Sequence, residues 1–180
     1  MIPLGVLASS RVAPSPVVST WSGGAPSTLG YWFGNTWKTM NPPQIGRVSS
    51  ITQQVGLRWA SMPIPPGSTI TAATLAFTTS AAQTNPGAAS NLAGVHQVDA
   101  APALASGQQT TDWTPTAAWS PTGAGAKSVN LTAAVQALVN RPGWANGSPV
   151  VVRVQGNTTG TSGQADLTGV TLTVAYVLPG

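Results

Sequence analysis

Ile51-Thr52-Gln53-Gln54-Val55-Gly56-Leu57-Arg58-Trp59 sets Ile51, Gln53, Val55, Leu57 and Trp59 against Thr52, Gln54, Gly56 and Arg58. A period of two marks a strand whose side chains alternate between two faces. Pro63-Ile64-Pro65-Pro66-Gly67 follows and makes a turn, because proline fixes φ and carries no N–H donor. The strand pattern resumes over residues 69–79, where Ala73, Leu75 and Phe77 share a face with Thr71 and Thr79. This strand–turn–strand unit sets the fold class, and the chain on either side repeats it.

Upstream, residues 17–21 read as a first strand, and residues 22–43 as an irregular segment rich in glycine, proline and aromatics. Downstream, residues 80–90 form a small-residue loop around Asn85-Pro86-Gly87, a strong turn signal. Residues 92–98 fit a strand, and residues 100–109 fit either a loop or a helical turn. Pro115 interrupts the strand pattern of residues 111–119 and places it at a sheet edge. Val150, Val152 and Val154 alternate with Val151 and Arg153. In the last strand Val170, Leu172, Val174, Tyr176 and Leu178 face one way and Thr171, Thr173 and Ala175 the other.

One segment breaks the period. Leu131, Ala134, Val135, Leu138 and Val139 fall at helical spacing and make a single apolar stripe. Asn130 suits the N-cap, Arg141 suits the negative end of the helix, and Pro142-Gly143 stops it. Many short strands, regular turn signals and one brief helix predict an all-β, antiparallel β-sandwich of jelly-roll type. Residues 1–44 are read as an extended N-terminal arm followed by the irregular aromatic segment, and residues 45–180 as the sandwich domain.

Composition supports this fold and excludes others. The 180 residues contain seven Lys+Arg, three aspartates and no glutamate, so charged residues make up 6%, against roughly 25% in an ordinary soluble domain. Helical bundles and coiled coils need more surface charge. Outward threonines keep the sheets wetted instead, with a branched side chain that suits the pleat and a hydroxyl that faces water. The pI of about 10.4 reflects missing acids, not a basic patch. Arg11, Lys38, Arg47, Arg58, Lys127, Arg141 and Arg153 are spread along the chain. Nucleic-acid binding needs cations converging on phosphates, so it is not expected. No cysteine is present, which excludes disulfides and zinc–thiolate sites. No apolar run reaches the length of a membrane span. The opening Met1-Ile2-Pro3-Leu4-Gly5-Val6-Leu7-Ala8-Ser9-Ser10-Arg11 lacks the basic start and unbroken apolar stretch of a signal peptide and reads as an arm.

The acid–base inventory is thin: Asp99, Asp112, Asp166 and one histidine, His96. No spacing favours the paired carboxylates of a glycosidase. His96 and Asp99, three apart on a strand, point to opposite faces. No G-x-S-x-G elbow supplies a nucleophile. Residues 123–128, Gly-Ala-Gly-Ala-Lys-Ser, imitate a phosphate-binding loop, but Pro121 and Ala126 replace the features it needs, and they read as a flexible hairpin loop. Three N-x-[ST] sequons occur, as chance allows in a Thr-rich chain. No catalytic residue, metal or cofactor is expected. Tryptophan is the excess, with seven residues, and Tyr31, Trp32, Phe33 and Trp37 cluster within one Gly-rich segment. Such a cluster can close one end of the core, anchor a protein interface, or stack on sugar rings. Trp59 and Trp144 are expected to be buried.

Three stretches carry a family resemblance. They are Val55-Gly56-Leu57-Arg58-Trp59, Ile64-Pro65-Pro66-Gly67-Ser68-Thr69-Ile70-Thr71-Ala72-Ala73-Thr74-Leu75, and Asn140-Arg141-Pro142-Gly143-Trp144-Ala145-Asn146-Gly147 directly after the helix. Together, over about residues 45–178, they resemble a family of jelly-roll modules of bacterial surface and secreted proteins and of phage virion proteins. Residues 3–11 resemble the start of small virion proteins of actinobacterial phages, often called minor tail proteins. The resemblance implies a non-catalytic protein of the virion, a minor tail or capsid decoration protein. It would bind other virion proteins, form a homo-oligomer in place, and use Leu4, Val6, Leu7, Arg11, Tyr31, Trp32 and Trp37 as partner-binding residues. The alternative is a carbohydrate-binding module for bacterial surface glycan. Relatives often carry several acids in the strand matching residues 92–99. This chain keeps only Asp99 there, which weakens any calcium-dependent role.

Overall fold

A computed structural model of the chain describes residues 17–81, 91–110, 112–120, 123–156 and 163–180. The strands are β1 (Val18–Ser22), β2 (Thr28–Phe33), β3 (Thr36–Thr39), β4 (Gln44–Val48), β5 (Ile51–Trp59), β6 (Thr69–Thr79), β7 (Leu92–Val95), β8 (Thr116–Ala118), β9 (Gly125–Asn130), β10 (Val150–Gln155) and β11 (Gly163–Val177). The helix is α1 (Thr132–Val139), and a 3₁₀ turn spans Gln108–Thr110.

All pairings are antiparallel and fall into two layers. The first sheet runs β1-β11-β6-β9. The second contains β5-β10-β7-β8. Taking these eight strands in chain order, one sheet holds the first, last, third and sixth, and the other the second, seventh, fourth and fifth. That order is the double Greek key of a jelly roll. The β2–β3 hairpin extends the second sheet from β5. β4 forms a hairpin with the start of β5 and also pairs with Gly163–Asp166 of β11, so it bridges the two layers.

The sandwich interior follows the alternation. Val55, Leu57 and Trp59 of β5 and Val150, Val152 and Val154 of β10 face Ala73, Leu75 and Phe77 of β6 and Leu172 and Val174 of β11 in one buried cluster. The apolar stripe of α1 closes one end, with Ala134, Val135, Leu138 and Val139 all buried. Trp144 packs after the helix, and its indole Nε1 donates to the Ile64 carbonyl at 2.9 Å. Both Trp59 and Trp144 are buried, as expected.

Several boundaries differ from the sequence reading. Residues 22–43 are not irregular throughout: they hold β2 and β3, joined by Gly34-Asn35 with Gly34 at φ 56°. Thr71 is exposed because a register irregularity between Ala175 and Tyr176 hands its inward place to Ile70. β7 stops at Val95, short of Val98. The expected flexible loop at residues 123–128 is instead largely β9, which pairs with β6 from Gly125 onward. The N-cap position of α1 belongs to Leu131, while the Asn130 Oδ1 still accepts a hydrogen bond from the Thr132 amide at 2.9 Å. Arg141 pairs with Asp99.

Candidate functional site

The side chains with the most chemistry gather on the outer face of the second sheet. Its centre is a row of residues in register across five strands. Gly30 of β2 lies opposite Gly56 of β5, Gly56 opposite Arg153 of β10, Arg153 opposite Gly94 of β7, and Gly94 opposite Thr116 of β8. Three glycines in one row leave a trough, and indole rings fill it. A Cβ on Gly56 would sit 2.7 Å from Trp32 Cη2 and 2.9 Å from Trp37 Cζ3. A Cβ on Gly94 would meet the Trp113 ring at 3.1 Å. The glycines are therefore required by close approach, not by backbone dihedral.

Trp32 is wholly buried, with Ala101, Leu104 and Val151 around it. Its Nε1 donates to the Ala105 carbonyl at 2.8 Å. Trp37 tilts against it at 4.8 Å between ring centroids. The segment after β7 is laid over this face and tied down from below. Arg58 Nε donates to the Pro102 carbonyl at 3.1 Å, the Trp37 amide donates to Ser106 Oγ at 3.1 Å, and the Gly107 amide donates to the Asn35 carbonyl at 2.9 Å. This cover makes a second, smaller core outside the sandwich.

His96 and Arg153 lie on the same sheet face, His96 against Trp32 and Arg153 under Trp113. The imidazole stacks on Trp32, with centroids 6.3 Å apart and planes 10° from parallel. Burial, reinforced by the positive Arg153, lowers its pKa to about 4 against an opposing pull from Asp112, so it is neutral at ordinary pH. The Arg153 guanidinium carbon sits 3.2 Å from the centroid of the Trp113 ring. Arg153 is only 6% exposed. Burial lowers its pKa to about 9, which still leaves it charged at neutral pH.

Of the sequence-predicted partner residues, Trp32 and Trp37 come together and Tyr31 lies on the opposite face of the sheet. Leu4, Val6, Leu7 and Arg11 lie outside the described residues. Tyr31 faces inward and packs against the sandwich core, half-buried. Trp32 presents no surface to a partner, which corrects its assignment as a contact residue; the side chains over Gly56 and the 97–110 cover enclose it. Trp37 is half-buried on the same face. The aromatic segment thus acts as a packed lid, on the outside of the second sheet and not at an end of the sandwich. A sugar platform has no exposed ring to use at Trp32. Asp99 accepts from Arg141 Nε at 2.6 Å, and Asp112 Oδ1 accepts from the Thr114 amide at 3.2 Å and the Thr114 hydroxyl at 3.0 Å. Among the described residues no three His, Cys, Asp or Glu side chains come together as a metal cage would need.

The first sheet presents a different surface. Val18, Thr20 and Ser22 of β1, Thr171, Thr173 and Ala175 of β11, Ala72, Thr74, Ala76 and Thr78 of β6, and Ala126, Ser128 and Asn130 of β9 point outward from it. None of them is charged, and most are exposed.

No family model matches the chain, and no curated protein matches it either.

Proposed function

We propose that this chain is a non-catalytic structural protein of a phage virion, a minor tail or capsid decoration protein, which binds neighbouring virion subunits and displays its sandwich on the particle. The observation that carries this reading is the outer face of the first sheet. It is four strands wide, built mostly of short hydroxyl and methyl side chains, and carries no charge among its outward residues. A free-standing domain keeps itself apart from its neighbours with interspersed charge. A subunit that lives against others does better without it, since every buried charge must be desolvated.

Two further features support binding over chemistry. Asp99 and Asp112 are engaged by Arg141 and Thr114, and His96 is held neutral under the Trp32 cover. The jelly-roll strand order agrees with the resemblance carried by residues 45–178, whose members serve display and assembly. In this reading residues 1–15 act as the docking arm. Leu4, Val6 and Leu7 are its apolar anchors, and Arg11 adds a charge-assisted contact. Copies are arranged by the particle's symmetry.

The test is co-sedimentation of purified particles lacking this protein with the full chain and with a chain lacking residues 1–12. The full chain is expected to join the particles. The shortened chain is expected to stay folded by circular dichroism and remain in the supernatant. Normal incorporation of the shortened chain would overturn the arm's role, and failure of the full chain to bind would overturn the virion assignment.

A further inference from the structure

Arg153 is a buried cation whose Nε donor finds no acceptor among the described residues, although that atom is sealed from solvent. The ion pair formed among the described residues is Arg141 with Asp99, at a different place in the fold. Asp112, the acid adjacent in sequence to the indole that covers Arg153, spends its Oδ1 on the Thr114 amide and hydroxyl. The two cross-strand neighbours of Arg153 are Gly56 and Gly94, which have no side chain to offer as acceptor. A buried guanidinium with an unpaired Nε–H is costly, and folds rarely keep one unless something else completes it.

The geometry shows what would complete it. Trp113 covers the flat face of the guanidinium at 3.2 Å. The face of a guanidinium takes an aromatic ring, whereas its five N–H groups all point outward in its own plane. Ring on face and oxyanion on edge are therefore compatible, and a two-oxygen anion matches the side-on fork of Nε with a terminal nitrogen. Trp113 is itself half-buried and belongs to the irregular segment before β8, not to a strand. Entry of a ligand to the sealed Nε requires that segment to shift.

We infer that Arg153, roofed by Trp113 and flanked by Gly56 and Gly94, is a binding site for a single carboxylate or phosphate oxyanion on the outer face of the second sheet. The inference goes beyond the virion assignment and does not depend on it. The site lies on the other sheet from the uncharged outer face of β1-β11-β6-β9.

The full chain, labelled with ¹⁵N, is titrated with sodium acetate and, separately, with inorganic phosphate, against sodium chloride at matched ionic strength. The arginine Nε–Hε signals are followed, and the Arg153 signal is identified by its loss in Arg153→Met. A saturable, millimolar-range shift of that signal and of the Trp113 indole signal is expected with at least one of the two oxyanions, and none with chloride. Saturation by acetate alone assigns a carboxylate ligand, and by phosphate alone a phosphate. Arg153→Lys keeps the charge but loses the fork, and is expected to weaken binding by about tenfold. If Arg153→Met fails to fold, the Lys variant carries the comparison. Shifts that are linear and equal for acetate, phosphate and chloride would overturn the site, as would saturable shifts unchanged in Arg153→Lys.

Discussion

Arg153 stands directly across the β5–β10 ladder from Gly56, and this pairing lets a guanidinium and two indole rings share one sheet face. Any side chain at residue 56 would project beside Arg153, into the volume that Trp32 and Trp37 occupy. The glycine thus belongs to the packing of the outer core as much as the tryptophans do.

Gly56→Ala is expected to destabilise the protein by about 1–3 kcal/mol, the usual cost of forcing a methyl group into a filled core. Urea unfolding monitored by tryptophan fluorescence measures it. A change near zero would mean that the rings over Gly56 move aside freely.

The pH dependence has a definite sign. His96 carries an ordinary pKa of 6.5 in the unfolded chain and about 4 in the fold, through burial first and the Arg153 charge second. Between those values the unfolded chain holds a proton that the folded chain refuses. The contribution is complete above the upper value and is lost as pH falls to the lower one, by about 3 kcal/mol at most. His96→Phe keeps a flat ring against Trp32 and removes the proton. Its stability profile is expected to be flatter than that of the wild type between pH 6.5 and 4, as read from denaturant midpoints across that range.

Much of the sandwich is legible in the sequence, and the omissions have physical causes. β5 and β11 bury one face of a clear alternation, β10 is a run of valines buried on both faces, and α1 shows a single stripe, so residue type alone marks them as these elements. The β2–β3 hairpin also carries a signal, Gly34-Asn35 between two strand-like runs, but the surrounding glycines and prolines mask it. The β4–β5 hairpin carries none. Its turn uses Ser49 and Ser50, both at positive φ, 47° and 66°, where glycine or asparagine would have announced it. The Arg153 site could not be read at all. Its parts come from β5, β7, β10 and the segment before β8, and they meet only through register. Arg153 in an alternating valine strand reads as solvent-facing, because nothing local shows that residues 97–110 and 113 cover that face.

The Arg141–Asp99 pair is short, at 2.6 Å, yet the two side chains are 36% and 46% exposed. Pairs so open to water contribute roughly 0–1 kcal/mol. Asp99→Asn and Arg141→Gln are each expected to stay within that range in urea unfolding. A loss several times larger would show that the pair fastens the cover segment to the helix end.

Thr74 and Thr173 are cross-strand partners at the middle of the uncharged face. Thr74→Lys combined with Thr173→Lys places two like charges opposite each other, at a cost of about 1 kcal/mol or less. The fold is expected to survive, with an unchanged circular dichroism spectrum, while co-sedimentation with particles falls sharply. Undiminished incorporation would move the docking surface away from this sheet.

The proposed virion role is tested most directly by mass spectrometry of density-purified phage particles from a lysate in which the chain is expressed. Peptides spanning residues 45–180 are expected in the particle fraction at a fixed ratio to the major capsid or tail subunit, resistant to a salt wash. Their absence from particles, with the protein recovered only in the soluble lysate, would contradict the account.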